Sequence, residues 1–267
     1  MGRDGEHRRL MEAAFGDTAT TYDAEIAFFT TIAARTAAGA AARHGSGRIR
    51  TAVDVGAGTG ALAAALREAL RPERVIAVDI SLGMLRAAGR HDDRVLPVLG
   101  DAADLPLPDR CAEVAGSATS VRFFDQPRRA AAELGRVLRP GGTVVLSELG
   151  GVDRKWLFLA DLVRRAARRA PAGPPRGSLP RPVPLTELLA DAGFVDVETA
   201  EETLVFRFTD EHQWWRWIRG QSAGAAIRQL PAAAAEAVER AALATAAGFA
   251  DLELHQVLRI ATARTGP

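Results

Sequence analysis

The chain has 267 residues, 48% of them hydrophobic and 25% charged, ordinary globular usage that sets aside both disorder and a membrane-embedded class. A formal net charge of +1 supplies no field for salt-dependent phosphate binding, so no nucleic-acid partner is expected. The single cysteine, Cys111, excludes an internal disulfide and a thiolate zinc cluster, and no metal site is read.

The first residues, MGRDGEHRRLMEAAFGD, are charged and lack the apolar core of a secretory signal, and no later stretch is long and apolar enough to span a bilayer. A cytoplasmic protein without membrane contact is therefore expected. From about Thr18 to Arg43 the chain is Ala-rich, with Ile26, Phe29, Ile32 and Ala33 at helical spacing, which predicts helices covering one end of a sheet. From Thr51 to Leu149 short β-branched runs alternate with helical ones, the pattern of parallel strands joined by crossover helices. The strands are read as Thr51 to Val55, Arg74 to Asp79, Arg94 to Gly100, Ala112 to Ser117 and Thr143 to Glu148, with helices starting near Thr59, Ser81 and Pro127. Pro140-Gly141-Gly142 is read as a turn back into the sheet.

Val152 to Ala170 reads as a helix, and its Arg164, Arg165, Arg168 and Arg169 as a solvated face. Pro171 to Pro184 cannot sustain regular structure. Then come a helix from Leu185 to Ala192, a strand from Val195 to Phe208 with a central irregularity, and a capped helix carrying Trp214, Trp217 and Ile218 on one face. A helix over Pro231 to Ala247 leads to a last strand, Leu254 to Ala263. No internal repeat is present, and one domain over 1–267 is expected.

Val53-Asp54-Val55-Gly56-Ala57-Gly58-Thr59-Gly60 is an apolar strand running into a glycine-rich turn that opens a helix. Glycine removes side-chain bulk, so a ligand can approach the backbone and N–H groups at the helix start can engage its polar end. Gly56, Gly58 and Ala61 also satisfy the loose dinucleotide pattern G-x-G-x-x-G/A, which keeps hydride chemistry in view. Asp79 closes the second strand about twenty residues on, where a carboxylate can accept both ribose hydroxyls of an adenosine group. Plainer readings exist: Asp54 and Asp101 as turn residues, and Asp79 as a helix cap, although Ser81 is the better cap.

Asp54, Asp79, Asp101-Ala102 after the third strand and Arg136-Val137-Leu138-Arg139-Pro140-Gly141-Gly142 before the fifth together resemble the class I S-adenosylmethionine (SAM)-dependent methyltransferases. The likeness is to the type 11, ubiquinone/menaquinone-methyltransferase-like group, close over Thr51 to Gly150 and looser in the flanks. It implies an α/β, Rossmann-like, doubly wound seven-stranded sheet of order 3-2-1-4-5-7-6, strand 7 antiparallel. The implied division is a helical cap over 1–50, a SAM-binding core over 51–150 and acceptor-pocket elements over 151–267. SAM would be the cofactor and S-adenosylhomocysteine (SAH) the product. Gly56, Ala57, Gly58 and Gly60 would line the methionine part, and Asp54 would contact its amino group. Asp79 would hold the ribose, Ile80 and Met84 would pack on adenine, Asp101 would accept from its exocyclic amine, and Ala102 would lie beside the ring. Ser117 would approach the sulfonium. Phe15, Ala19, Tyr22 and Asp23 resemble an N-terminal signature whose tyrosine closes over the methionine carboxylate.

A general base would help if the acceptor were a phenol, hydroxyl or protonated amine. Of five histidines, His7, His44 and His91 fall in a terminus or loops, leaving His212 and His255 as candidates. Relatives commonly carry a histidine where this chain has Arg122, before Phe123-Phe124, and an arginine there could orient a carboxylate or carbonyl acceptor. Trp214 and Trp217, with Phe123 and Trp156, are read as walls of an apolar acceptor pocket, against the plainer reading of a docked helix. The function implied is methyl transfer to a small, largely apolar or aromatic acceptor, with bacterial secondary metabolism as its setting. A SAM-fold cyclase or non-methylating binder is the alternative. An NAD(P)-dependent oxidoreductase is disfavoured, because the one tyrosine, Tyr22, and the one lysine, Lys155, form no Tyr-x-x-x-Lys pair. The sequence leaves a homodimer open.

Overall fold

The computed structural model describes residues 27–88, 94–151, 153–169 and 183–267. The readings placed on His7, Phe15, Ala19, Tyr22, Asp23, Ile26 and His91, and on most of 171–184, lie outside these residues. Seven strands form one sheet: β1 (Thr51–Val55), β2 (Arg74–Asp79), β3 (Val95–Leu99), β4 (Ala112–Ala118), β5 (Leu138–Leu149), β6 (Val195–Arg207) and β7 (Glu253–Arg264). Their order is β3-β2-β1-β4-β5-β7-β6; the first five are mutually parallel, and β7 runs antiparallel to both β5 and β6. This is the expected topology.

Both faces of the sheet are covered, so its central strands are buried in near-continuous runs rather than alternating. All five residues of β1 are buried. Val53 and Val55 pack with Leu134, Val137 and Leu188 on one face, while Ala52 packs with Ile32, Leu62 and Leu66 on the other. β5 divides in the same way, Val144 and Leu146 to the first face and Val145 to the second. The first face is covered by α4 (Pro127–Val137) and α6 (Leu185–Asp191). The second carries α1 (Phe28–His44) and α2 (Ala61–Leu70). Pro127 opens α4, where its missing N–H is no loss, and Ala130, Ala131, Leu134 and Val137 form the buried stripe.

After β5 come α5 (Leu157–Arg169) and, beyond β6, α7 (Glu211–Gly220), α8 (Ser222–Arg228) and α9 (Ala232–Ala246). Asp210 caps α7, its Oδ1 accepting from the Gln213 N–H at 2.7 Å. The helix then turns Trp214, Trp217 and Ile218 inward. Trp214 is 1% exposed and stacks on Trp156 with centroids 4.8 Å apart and planes at 20°. Phe28 of α1 meets Trp217 at 5.2 Å and Phe206 at 4.7 Å, so the aromatic layer continues into the first helix. Trp156 donates its indole N–H to the Glu253 carbonyl at 3.1 Å, which ties this layer to β7.

Several elements differ from expectation. β5 begins at Leu138, not Thr143, because Pro140-Gly141-Gly142 is absorbed into the strand, with a register shift against β4 and Gly141 at φ +71°. The C-terminal residues hold it there: the N–H of Gly142 donates to Thr265 Oγ1 and that of Gly141 to the Gly266 carbonyl. The irregularity of β6 lies at its start, between Val195 and Glu198, where Asp196 has φ +52°. The helix read over Val152 to Ala170 is split by a 3-10 turn, Arg154–Trp156, capped by Asp153. The short α8 carries no separate sequence signal.

Trp214→Ala removes one of the largest fully buried side chains and is expected to cost about 3–5 kcal/mol of unfolding free energy, measured by denaturant titration. Arg164→Ala, on the exposed face of α5, should stay within about 0.5 kcal/mol of the parent.

Candidate active site

The chain reverses its order between β1 and β4, and at such a switch point loops from the strand ends diverge and leave a crevice. A cleft of about 1070 Å³, open to solvent, lies there.

Its floor is the glycine loop after β1. The N–H groups of Gly56 and Ala57 both donate to the Val78 carbonyl, at 2.8 and 3.0 Å, folding the loop over the end of β2. Gly56 has φ +70°, and a Cβ there would lie 2.6 Å from Ser120 Cβ and 3.1 Å from the Phe124 ring. Glycine is required at that position by both conformation and space. A Cβ on Gly58, by contrast, would meet nothing within 4 Å, so this backbone faces open space. The Gly58 N–H donates to Asp79 Oδ2 at 2.8 Å, and the Ser81 N–H donates to Asp79 Oδ1 at 2.8 Å. Burial raises the Asp79 carboxyl above its ordinary range, and N–H donors from Ser81, Gly58 and Ile80 pull it back.

Asp54 is fully buried at the end of β1, with Oδ2 accepting the Ala63 N–H at 2.9 Å and Oδ1 without a partner. Burial, helped by the nearby Asp79 charge and opposed by the Ala63 N–H, raises its pKa to about 8. Asp101 closes a turn, its Oδ1 accepting the Ala103 N–H at 2.8 Å, with Ala102 beside it on the cleft wall. Ile80, Met84 and Phe123 also face the cleft. Four aspartates line it, Asp54, Asp79, Asp101 and Asp125, and among the described residues no lysine, arginine or histidine does.

The structure thus brings together Asp54, Gly56, Ala57, Gly58, Asp79, Ile80, Met84, Asp101, Ala102 and Phe123. Other candidates lie elsewhere, and Tyr22 is outside the described residues. Gly60 does not line the cleft: it starts α2 at φ +86°, and its missing Cβ leaves room for Ala88. Ser117 is buried with its Oγ unpartnered, one residue short of the wall formed by Ala118, Thr119 and Ser120, because strand alternation turns it inward. Trp156, Trp214 and Trp217 belong to the aromatic layer and do not line this cleft. His212 is exposed on the first turn of α7, and His255 is exposed on β7 against Glu253 Oε2 at 3.1 Å. Arg122 gives its Nε–H to Glu148 Oε1 at 2.7 Å and an NH2 hydrogen to the Leu149 carbonyl at 2.9 Å, away from the cleft. Burial raises the Glu148 carboxyl, and Arg122 opposes it.

Cleft lining that sequence reading did not assign comes from Phe29, Ile32 and Ala33 of α1 and from Thr119, Ser120, Phe124 and Asp125. The helical spacing of Phe29, Ile32 and Ala33 marked the inner face of that helix, but a buried face in sequence does not say whether it meets a core or a cleft.

A model described as a methyltransferase domain matches residues 53–146. The malonyl-[acyl-carrier protein] O-methyltransferase of Serratia marcescens is 33% identical over 146 residues, which is 55% of this chain and 55% of that protein. The demethylmenaquinone methyltransferase of Clavibacter sepedonicus is 41% identical over 99 residues, 36% of this chain and 40% of its own. This chain spans about half the length of the curated relatives it matches. The solved YcgJ protein of Bacillus subtilis superposes with a TM-score of 0.56 over 87% of this chain and 99% of that one, at 18% identity, a likeness of fold.

Because the folded-state pKa of Asp54 is raised from 3.8 to about 8, the unfolded chain ionises first as pH rises. The stability this group contributes is full below about pH 4 and is lost progressively up to about pH 8. Asp54→Asn keeps the Ala63 hydrogen bond without the charge. The parent should therefore lose stability relative to this variant across that window, by several kcal/mol in urea titrations at fixed pH.

Proposed function

We propose, from the premise that this chain belongs to the class I SAM-dependent methyltransferase family, that it binds SAM in this cleft and transfers its methyl group to a small, largely apolar acceptor. Charge carries the reading. A dinucleotide would bring its pyrophosphate against Asp54 and Asp79, and among the described residues no cationic side chain lines the cleft to receive it. SAM instead carries an ammonium and a sulfonium, and the unpartnered Oδ1 of Asp54 fits the former.

When bound, SAM supplies an electrophilic methyl group. Asp54 would accept from the ammonium, and the open backbone at Gly58 would lie against the methionine part. Asp79 would hold the ribose while keeping both backbone bonds, since a carboxylate has about four acceptor positions. Ile80, Met84, Asp101 and Ala102 would bracket the adenine. The acceptor would sit between α1 and Phe123-Phe124, so catalysis is assigned to positioning and exclusion of water rather than to His212, His255 or Arg122. The relatives' names speak of malonyl-[acyl-carrier protein] and of demethylmenaquinone; the second, as the apolar kind, is extended to this chain as the first to try.

Calorimetric titration is expected to show micromolar SAH binding, weakened about tenfold or more by Asp79→Ala, and no NADH binding. Below about pH 8 SAH affinity should rise with pH, by up to about tenfold per unit, because binding selects the ionised Asp54; Asp54→Asn should abolish that slope. Labelled SAM should then pass its methyl group to 1,4-dihydroxynaphthalene, a small aromatic acceptor. Preferred NADH binding, or label that never leaves SAM across an acceptor panel, would sink the reading, the latter favouring a cyclase or a binder.

A further inference from the structure

Among the described residues four that are not glycine have left-handed backbone: Arg71, Arg110, Thr119 and Asp196. Three are exposed turn positions. Thr119, at φ +57°, is 9% exposed and lies on the cleft wall. A β-branched side chain is the costliest kind to hold in that conformation, which glycine or asparagine would adopt freely. Strain of this sort persists only where neighbours over-determine it.

The neighbours are visible. The Thr119 N–H donates to the Ser147 carbonyl at 2.9 Å, ending β4 against β5. Ser120 Oγ donates to the Gly56 carbonyl at 2.7 Å, which pins the next residue to the glycine loop. Between these anchors the left-handed turn places Thr119 on the wall of the cleft that Phe29, Ile32 and Ala33 also line. Its hydroxyl is neither hydrogen-bonded among the described residues nor sealed from solvent, unlike that of Ser117, which is sealed, and that of Ser120, which is engaged. A free hydroxyl among apolar side chains is the arrangement that orients an apolar ligand by a single polar contact.

We propose that Thr119 is an acceptor-contacting residue, its hydroxyl hydrogen-bonding the oxygen or nitrogen that an otherwise apolar acceptor presents for methylation. The inference rests on the methyltransferase reading and adds to it the polar contact of the acceptor. The strained backbone is what aims the hydroxyl.

Thr119→Ala, Thr119→Gly and Thr119→Ser separate strain from contact. At an ordinary buried position Gly is less stable than Ala; here Thr119→Gly should melt about 2–4 °C above Thr119→Ala, because only Gly relieves the left-handed strain. Both should keep SAH affinity within about threefold and lose about tenfold in kcat/KM for 1,4-dihydroxynaphthalene, with Thr119→Ser close to wild type. Turnover by the Ala or Gly variant equal to wild type overturns the contact. So does a fall in SAH affinity that parallels turnover, which marks a structural role. A wild type that methylates no acceptor removes the methyltransferase reading and the contact together, and is told apart because it shows before any substitution.

Discussion

A carboxylate taken out of water without a counter-charge is among the costliest things a fold can contain, and Asp54 is held that way at the end of the most enclosed strand. One N–H from the first turn of α2 and retention of the proton to about pH 8 make it tolerable. The rest of the cleft is arranged around that group. Asp79 stands nearby with its own charge, the backbone at Gly58 faces open space, and among the described residues no lining cationic side chain neutralises either acid. A cleft of this kind is a poor site for phosphates and a good one for a cation.

The two halves of the cleft are mechanically joined. Gly56 packs so closely against Ser120 and Phe124 that neither loop can shift without the other, and the Ser120 hydroxyl closes the contact on the Gly56 carbonyl. The glycine loop and the Ser120–Phe124 wall therefore form one unit, while the Arg122–Glu148 pair anchors the far side of the same turn to the end of β5. That buried pair is a fastening for Phe123 and Phe124, since its donors are already committed.

The tryptophans act at one remove. Trp156, Trp214 and Trp217 fill the space between α5, α7 and the sheet, and through Phe28 they fix the start of α1. Phe28 faces the aromatic layer while Phe29, its edge-on neighbour at 4.9 Å, lines the cleft. One helical turn thus converts core packing into the position of a cleft wall.

What the sequence determined by itself was local or periodic. Strand runs, the Pro127 helix start, the Asp210 cap and the glycine loop with its two acids are decided by short-range sterics, capping and alternation, and they placed Asp54, Asp79, Asp101 and their neighbours in the cleft. The strand order itself came from resemblance to a family. Only the tertiary structure decided which buried faces meet a cavity. Phe29 and Trp217 carry the same apolar signal, yet one lines the cleft and the other the core, because burial in sequence is a property of a side chain and a cleft is a property of the space between elements. Likewise the left-handed turn at Thr119 contradicts the preference of its own residue type. It exists because β5 and the glycine loop, distant in sequence, hold both of its ends.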